Sequence, residues 1–350
     1  MSATALNPAR QCATRVTVWV CACFCAVLPP PARALDYTQL AVIVNTWDPL
    51  SVQIGDYYAA QRRILFQNVI KVGFPPGRTA LTGAEFTAIK AMVDDQALPR
   101  VQAYALTWAA PYRVECMSIT SAFAFGFDPA FCAEGCKPTR PSPYFNSRAW
   151  LPFTQLGMRP AMAIAAVSFE HAKALIDRGV DSDGSSPAGT AYLLSTSDQA
   201  RSVRSASYPL VETVLNGRVR VRVLEQDALM NARDVLFYFT GKDRVDGLDT
   251  LRFLPGAIAD HLTSAGGQLT DSSQMSALRW LEAGATGSYG TVVEPCNLPQ
   301  KFPHPAVVAA MYLSGETLIE AYWKSVAMPG QGVFVGEPLA APFRARAALH

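Results

Sequence analysis

Apolar segments of strand length alternate with helical segments early in the chain, and this alternation restricts the fold more than any other feature. Thr82 and Glu85 have the spacing of a capping box, which opens a helix. The predicted strands cover residues 40–45, 69–73 and 101–107, and the predicted helices cover residues 52–63 and 82–96. Strands and helices in this order predict a parallel sheet with crossover helices.

The same alternation resumes after residue 160. The predicted strands cover residues 161–167, 191–194, 218–224, 234–241 and 253–262, and a helix covers residues 169–178. Arginine alternates with valine in residues 218–224, which predicts one wet face and therefore an edge strand. The expected fold class is α/β, with a mainly parallel sheet and helices on both faces.

Residues 109–158 interrupt the alternation with proline, glycine, aromatic residues and cysteines. We expect an ordered excursion from a single α/β domain that spans residues 35–350. A disulfide is expected to pin it, either between Cys132 and Cys136 or between one of them and Cys116. The same three cysteines are a candidate zinc set, but no fourth ligand lies nearby in the sequence, so we predict no metal.

Residues 1–34 have the pattern of a cleaved export signal. Arg10 and Arg15 give a positive start, residues 16–28 are apolar, and residues 32–34 form the small-x-small motif Ala-Arg-Ala. The apolar run is shorter than the roughly 20 residues that a membrane-spanning helix needs. We therefore expect a secreted or periplasmic protein with no membrane span after the leader is removed.

The mature chain is close to neutral, and this excludes some classes of partner. Removing the three arginines of the leader lowers Lys+Arg from 30 to 27, against 28 acidic residues. A near-neutral chain without a basic run is not expected to bind nucleic acid. The sequence contains no GxGxxG or P-loop pattern, so we expect no cofactor.

Polar or aromatic residues follow several of the predicted strands, where open parallel sheets bind their ligands. The candidates for such a cleft are Asn45, Asp48, Trp108, Lys242 and Glu294. The sequence therefore predicts a binding cleft above the carboxyl ends of the strands.

His261 and Cys296 are candidate catalytic residues, because both fall at the ends of strands that we expect to be neighbours. A histidine beside a thiol can activate it as a nucleophile, with Asp260 or Glu294 orienting the imidazole. The alternative is that His261 is a satisfied polar group under a turn and Cys296 a buried filler or disulfide partner. A divalent metal on His261 and the nearby carboxylates, including Asp48, would need a tighter cluster than the sequence indicates.

The last quarter of the chain resembles gingipain-like, caspase-fold cysteine peptidases. Residues 280–296, 312–323 and 332–339 carry the resemblance, with a Gly- and Ala-rich strand, a helix and a closing Gly-Glu-Pro-Leu turn. In that family one strand ends in a glycine followed by the general-base histidine, and the next strand ends at the nucleophilic cysteine. Here Lys242 follows Gly241, where the resemblance implies the histidine.

The strand that corresponds to the cysteine-bearing strand also lacks its catalytic residue. Residues 253–261 lead into Asp260, His261, Thr263 and Ser264, without a cysteine. The resemblance therefore implies a caspase/gingipain-like topology without the His–Cys pair.

The whole mature chain also resembles a family of exported bacterial proteins of uncharacterised function. The resemblance rests on residues 44–45, 51–63, 159–162, 260–264, 284–296 and 315–322. It implies export and carries no activity with it.

These observations lead to three hypotheses about function. The first is a catalytically degenerate peptidase-like domain that binds a peptide or a cell-envelope partner. The second is an active hydrolase that uses His261 and Cys296, and the third is a structural envelope component. Whether the protein is an enzyme stays open at this point.

The leader gives the first testable prediction. We expect the protein isolated from its native host to begin near Leu35, because residues 32–34 fit an export peptidase. Mass spectrometry of the intact protein measures this directly. Finding Met1 or Ser2 at the start of most molecules would contradict the prediction.

Overall fold

The computed structural model describes residues 34–133 and 136–345, together with Met1 and Ser2. The leader predicted at residues 1–34 therefore lies almost wholly outside the described residues. Every strand and helix named below belongs to the compact unit that begins at residue 32.

Thirteen strands and nine α-helices occur in the described part of the chain. The strands are β1 (Leu40–Asn45), β2 (Val69–Val72), β3 (Ala80–Leu81), β4 (Ala103–Leu106), β5 (Arg113–Val114), β6 (Met117–Ser118), β7 (Ala161–Ala163), β8 (Thr190–Ser195), β9 (Arg220–Glu225), β10 (Val235–Gly241), β11 (Phe253–Leu262), β12 (Gly287–Thr291) and β13 (Gly332–Gly336). The helices are α1 (Pro49–Arg62), α2 (Gly83–Gln96), α3 (Ile119–Phe125), α4 (Pro152–Leu156), α5 (Phe169–Ser182), α6 (Tyr208–Leu215), α7 (Leu278–Ala283), α8 (Pro305–Leu313) and α9 (Leu318–Ser325). Short 3-10 helices cover Phe66–Asn68, Pro129–Phe131, Ser202–Ser207, Leu248–Thr250, Pro299–Lys301 and Pro329–Gln331.

Ten strands form one sheet in the order β2-β1-β4-β7-β13-β12-β11-β10-β8-β9. Neighbouring strands run parallel everywhere except between β12 and β13, which are antiparallel. The sheet therefore has two parallel halves that run in opposite directions. We call β2, β1, β4, β7 and β13 the first half and β12, β11, β10, β8 and β9 the second half. The predicted α/β fold with a mainly parallel sheet is confirmed.

Glycine makes the joint between the two halves possible. Thr291 of β12 lies opposite Gly332 of β13. A Cβ atom at position 332 would lie 1.7 Å from the hydroxyl oxygen of Tyr289. The Tyr289 ring is itself buried, with its centre 5.1 Å from that of Phe334. A side chain at position 332 would therefore displace the aromatic packing at the joint.

Helices cover both faces of the sheet, as predicted. One face carries α1, α5 and α7, and the other carries α3, α6, α8 and α9. Trp323 of α9 illustrates the packing, because its ring stacks on Phe334 of β13 at a centre-to-centre distance of 4.4 Å. Its indole Nε1 donates a hydrogen bond to the carbonyl of Ala161 in β7, at 2.8 Å. One buried side chain thus links a helix to two neighbouring strands.

Several predicted strands have the bounds that the sequence indicates. The strands predicted at residues 40–45 and 253–262 are β1 and β11. The edge strand predicted at residues 218–224 is β9, the outermost strand of the second half. The strand predicted at residues 161–167 is shorter, since β7 ends at Ala163.

The first helix begins earlier than the sequence predicts. Its N-cap is Asp48, whose side chain accepts a hydrogen bond from the Leu50 amide at 3.0 Å. Ser51 is buried, and its hydroxyl lies 2.6 Å from that of Thr107. The second helix begins as predicted, because the capping box of Thr82 is present.

The excursion predicted at residues 109–158 is ordered over its described residues, where it forms β5, β6, α3 and α4. Its helix α3 packs against β7 and β13. The excursion therefore contributes part of the cover of the sheet.

Two disulfides hold the excursion. Cys116 bonds to Cys132 and Cys136 bonds to Cys296, with Cα–Cα distances of 5.6 and 5.2 Å. The predicted bond between Cys116 and Cys132 is confirmed, whereas the alternative Cys132–Cys136 bond is wrong, because each of these cysteines pairs elsewhere. Oxidation of all four sulfurs also removes the candidate zinc set.

No helix of the described residues is long and apolar enough to span a bilayer.

The two disulfides should differ in their contribution to stability. Cys136 and Cys296 are 160 residues apart, against 16 for Cys116 and Cys132. Loop-closure entropy then predicts a loss of roughly 5 kcal/mol for the pair Cys136→Ala/Cys296→Ala and roughly 3 kcal/mol for Cys116→Ala/Cys132→Ala. Urea unfolding of the two double variants and the wild type measures the difference. Equal losses would contradict the loop-length argument.

Candidate functional site

We call the carboxyl ends of β10, β11 and β12, in the second half of the sheet, the second rim. Most of the catalytic and cleft residues that the sequence predicts lie here. β10 and β11 are parallel neighbours, and Thr240 lies opposite His261. Consecutive residues of a strand point to opposite faces of the sheet. Asp260 therefore faces the α9 side, while His261 faces the α7 side.

Asp260 is 1 % exposed and pairs with Arg204 from the 3-10 helix Ser202–Ser207, at 2.5 Å. Burial raises the pKa of Asp260 and the Arg204 guanidinium opposes that rise. Arg204 also donates to the carbonyl of Thr240 at 2.9 Å. The pair thus fixes a surface segment against the ends of β10 and β11. Asp260 is committed to this ion pair and does not orient the His261 imidazole.

Both ring nitrogens of His261 are engaged. The indole N–H of Trp280 donates to Nδ1 at 2.9 Å, so Nδ1 must be the unprotonated nitrogen. The proton then resides on Nε2, which donates to the carbonyl of Met275 at 3.1 Å. Burial lowers the pKa of His261 to about 3. The ring is neutral and has no free nitrogen with which to accept a proton from a nucleophile.

Cys296 has no thiol, because its sulfur is bonded to Cys136. Its backbone lies in the left-handed region, with φ of 51°, and its amide donates to Glu294 Oε1 at 2.7 Å. Glu294 therefore stabilises the turn that presents Cys296 to Cys136. The predicted catalytic pair of His261 and Cys296 does not exist in this covalent state. The disulfide-partner alternative describes Cys296.

The two positions that the peptidase resemblance singles out are also occupied by paired side chains. Lys242 forms an ion pair with Asp227, which lowers the pKa of Asp227 to about 2 together with hydrogen bonds from Ser197. Thr263 donates its hydroxyl hydrogen to Gln274 Oε1 at 2.7 Å. A paired ammonium and a hydroxyl cannot replace an imidazole base and a thiol.

The remaining cleft candidates lie at the other end of the sheet, because the first half runs in the opposite direction. Asn45 donates to the carbonyl of Phe74 at 2.9 Å, and Asp48 caps α1. Trp108 is buried and donates to the carbonyl of Pro111 at 3.1 Å. The single predicted cleft is therefore corrected to two separate groups of residues, and the first group is engaged in local structure.

Two surface cavities lie away from the second rim. A cavity of about 380 Å³ is lined by Leu35, Arg62, Asp183 and Arg344, among others. A cavity of about 450 Å³ lies beside the edge strand β2 and is lined by Ile64, Phe66, Val69 and Lys71, among others. Within the described residues, no group of three or more His, Cys, Asp or Glu side chains can hold a metal ion.

Sequence reasoning identified Asp260 and His261 but missed the partners that decide their chemistry. Arg204 is 56 residues from Asp260, and Trp280 is 19 residues from His261. A charged residue within an apolar strand is the one available signal, since it requires a buried cation from elsewhere in the chain.

This fold is shared with a protease. The chain matches a solved structure described as "Structure of Protease", with a TM-score of 0.50 and 11% sequence identity, over 88% of this chain and 79% of that chain. At this identity the similarity shows the fold alone, which is peptidase-like. No protein-family model matches the chain, and no curated protein matches it significantly.

The neutral state of His261 should make stability depend on pH. The pKa of His261 is about 3 in the folded protein, below the unperturbed value of 6.5. The unfolded chain therefore binds the proton first, and stability present above pH 6.5 is lost as the pH falls toward about 3. Between these limits the loss from this residue is about 1.4 kcal/mol per pH unit.

The measurement is urea unfolding at several pH values between 7 and 4. His261→Gln should flatten the pH dependence of the free energy of unfolding, and His171→Gln, at an exposed histidine, is the control substitution. An identical slope for His261→Gln and the wild type would show that His261 is not held neutral.

Proposed function

We propose that this protein is a peptidase-like domain that does not hydrolyse peptides and instead binds a peptide or a partner in the cell envelope. One observation carries the proposal: all four cysteines of the described residues are in disulfides. A cysteine peptidase requires a free thiolate and a base beside it.

The second rim supports the same conclusion. Lys242 stands where the resemblance implies the base, and its ammonium is paired with Asp227. His261 is neutral, buried and hydrogen-bonded through both nitrogens. Hydrolysis by His261 and Cys296 would require reduction of the Cys136–Cys296 bond and rupture of the hydrogen bond from Trp280 to His261 Nδ1.

The proposed location is secreted or periplasmic. Disulfides form and persist in oxidising compartments, and this chain has one that joins residues 160 positions apart. The export signal predicted at residues 1–34 agrees with that location.

Of the five cleft residues that the sequence predicts, Lys242 and Glu294 are the charged ones that lie at the second rim. Lys242 is partly exposed, with 22 % of its side-chain surface accessible. A peptide that lies across the carboxyl ends of β10 and β12 would contact both residues. Charged groups at the edge of a binding surface mainly affect specificity and association rate.

The absence of hydrolysis can be tested with a thiol-reactive probe and a peptide library on the oxidised protein. We expect no labelling and no cleavage, because none of the described cysteines has a free thiol. Cys136→Ser is the matched control, since it releases the Cys296 thiol and should become labelled. Cleavage by the wild type that disappears in both Cys296→Ser and His261→Ala would refute the proposal in favour of a hydrolase.

The same library tests binding when it is scored for retention. Peptides that bind the second rim should associate more slowly with Lys242→Ala, and the difference should shrink as salt is added, because removing a charge at the edge of a binding surface changes mainly the association rate and its salt dependence. Lys173→Ala is the control, because Lys173 forms a comparable ion pair with Asp177 on α5. A protein that neither cleaves nor retains any peptide would fit a structural envelope component.

A further inference from the structure

Three acidic residues in the described structure expose at most 1 % of their surface, and two of them pair with an arginine. Asp260 pairs with Arg204 at 2.5 Å, and Glu337 accepts a hydrogen bond from Arg62 Nε at 2.9 Å. The third is Glu320, with which no cation among the described residues forms an ion pair. A buried carboxylate without a counter-charge is costly.

Glu320 lies in the first turn of α9, and its two oxygens have different surroundings. Oε2 accepts hydrogen bonds from the amide and the hydroxyl of Thr317, at 3.0 and 2.6 Å. It also accepts one from the backbone amide of Leu35, at 3.0 Å. Oε1 is buried and has no hydrogen-bond partner within the described ranges. Oε1 can therefore accept a hydrogen bond from a further donor.

The nearby cations are already engaged. Lys324 lies 2.6 Å from Glu316, where burial and the neighbouring Glu320 raise the pKa of Glu316 to about 7. Arg344 directs Nε to the carbonyl of Gly315 at 3.3 Å. Its Nη2 donates to the carbonyl of Leu35 at 2.9 Å. Neither cation forms an ion pair with Glu320, although Arg344 lies close enough to feel its charge, which opposes the lowering of the Arg344 pKa by burial.

Leu35 is the residue that reaches Glu320. Its side chain is fully buried, and the chain is fixed on both sides of it through its amide and its carbonyl. Ala34 is half-buried. The bond between Ala34 and Leu35 is also the one that follows the predicted cleavage motif at residues 32–34. The buried, unpaired carboxylate thus lies against the nitrogen that leader removal would set free.

We propose that Glu320 is the binding site for the α-ammonium group of Leu35 that leader removal creates. The proposal rests on cleavage before Leu35 and does not depend on the proposed function. Hydrolysis of the Ala34–Leu35 peptide bond by an export peptidase consumes one water. It leaves a carboxylate on Ala34 and an ammonium group on Leu35.

The α-ammonium group of Leu35 supplies the paired positive charge and the additional hydrogen-bond donor that the surroundings of Glu320 lack. An amide nitrogen carries one N–H and no charge, whereas an α-ammonium carries three N–H groups and a positive charge. One N–H keeps the bond to Oε2, and another supplies Oε1. Processing therefore gives Glu320 the counter-charge that Arg204 and Arg62 give to Asp260 and Glu337. The mature protein gains a buried ion pair that the precursor does not have.

The test compares two preparations of residues 35–350. One is released from a cleavable fusion, so that Leu35 carries the free amine. In the other, Ala34 and an added glycine precede Leu35. We expect the free-amine form to melt at least about 5 °C higher, because the added ion pair is buried and stabilises only the folded state. Equal melting temperatures would overturn the proposal.

Variants identify the acid responsible. Glu320→Gln keeps the shape and the capping interaction but removes the charge, so it should abolish the difference between the two preparations. Glu316→Gln is the matched control, because Glu316 pairs with Lys324 and does not contact Leu35. A difference that persists in Glu320→Gln would overturn the proposal.

A second measurement applies if Glu320→Gln does not fold. An aldehyde reagent selective for α-amines should label Leu35 of the native wild type at least about tenfold more slowly than in the urea-unfolded protein. Equal labelling rates would overturn the proposal. So would a native N-terminus at a residue other than Leu35, which mass spectrometry establishes separately from any binding or cleavage assay.

Discussion

The antiparallel pairing of β12 with β13 is the constraint on which the rest of this structure depends. It joins two parallel halves in opposite directions and so sends their carboxyl ends to opposite ends of the sheet. Ligand sites of parallel sheets lie beyond those ends. The protein therefore has two separate rims, and the candidate residues of the first half cannot meet those of the second.

Local pattern predicted the elements well but could not predict this reversal. Residues 40–45 and 253–262 are strands with the expected bounds, because continuous apolar runs between turn residues carry that information. An apolar run in a fully buried strand looks the same in either direction, and β13 is such a run. Direction depends on where α8 and α9 place the chain before β13, which is a property of the tertiary structure.

The candidate site shows the same limit. Sequence located His261 correctly at the end of a strand, but its role depends on Trp280 and Met275, which bind its two nitrogens. The sequence also located Cys296 near the end of a strand. Its bond to Cys136 could not be predicted, because no sequence pattern links these two segments. Residue type indicates which chemistry is available, whereas contacts distant in the sequence determine whether it is used. Here they occupy both ring nitrogens of His261 and the sulfur of Cys296.

The central position of β13 has a consequence for how the chain acquires this structure. The strand comes from residues 332–336 of a 350-residue chain, yet it lies between β7 and β12 in the middle of the sheet. Until these residues are in place, β7 and β12 each present an open edge, and open strand edges invite association with other chains. The sheet becomes continuous only when residues 332–336 have paired with both of these strands.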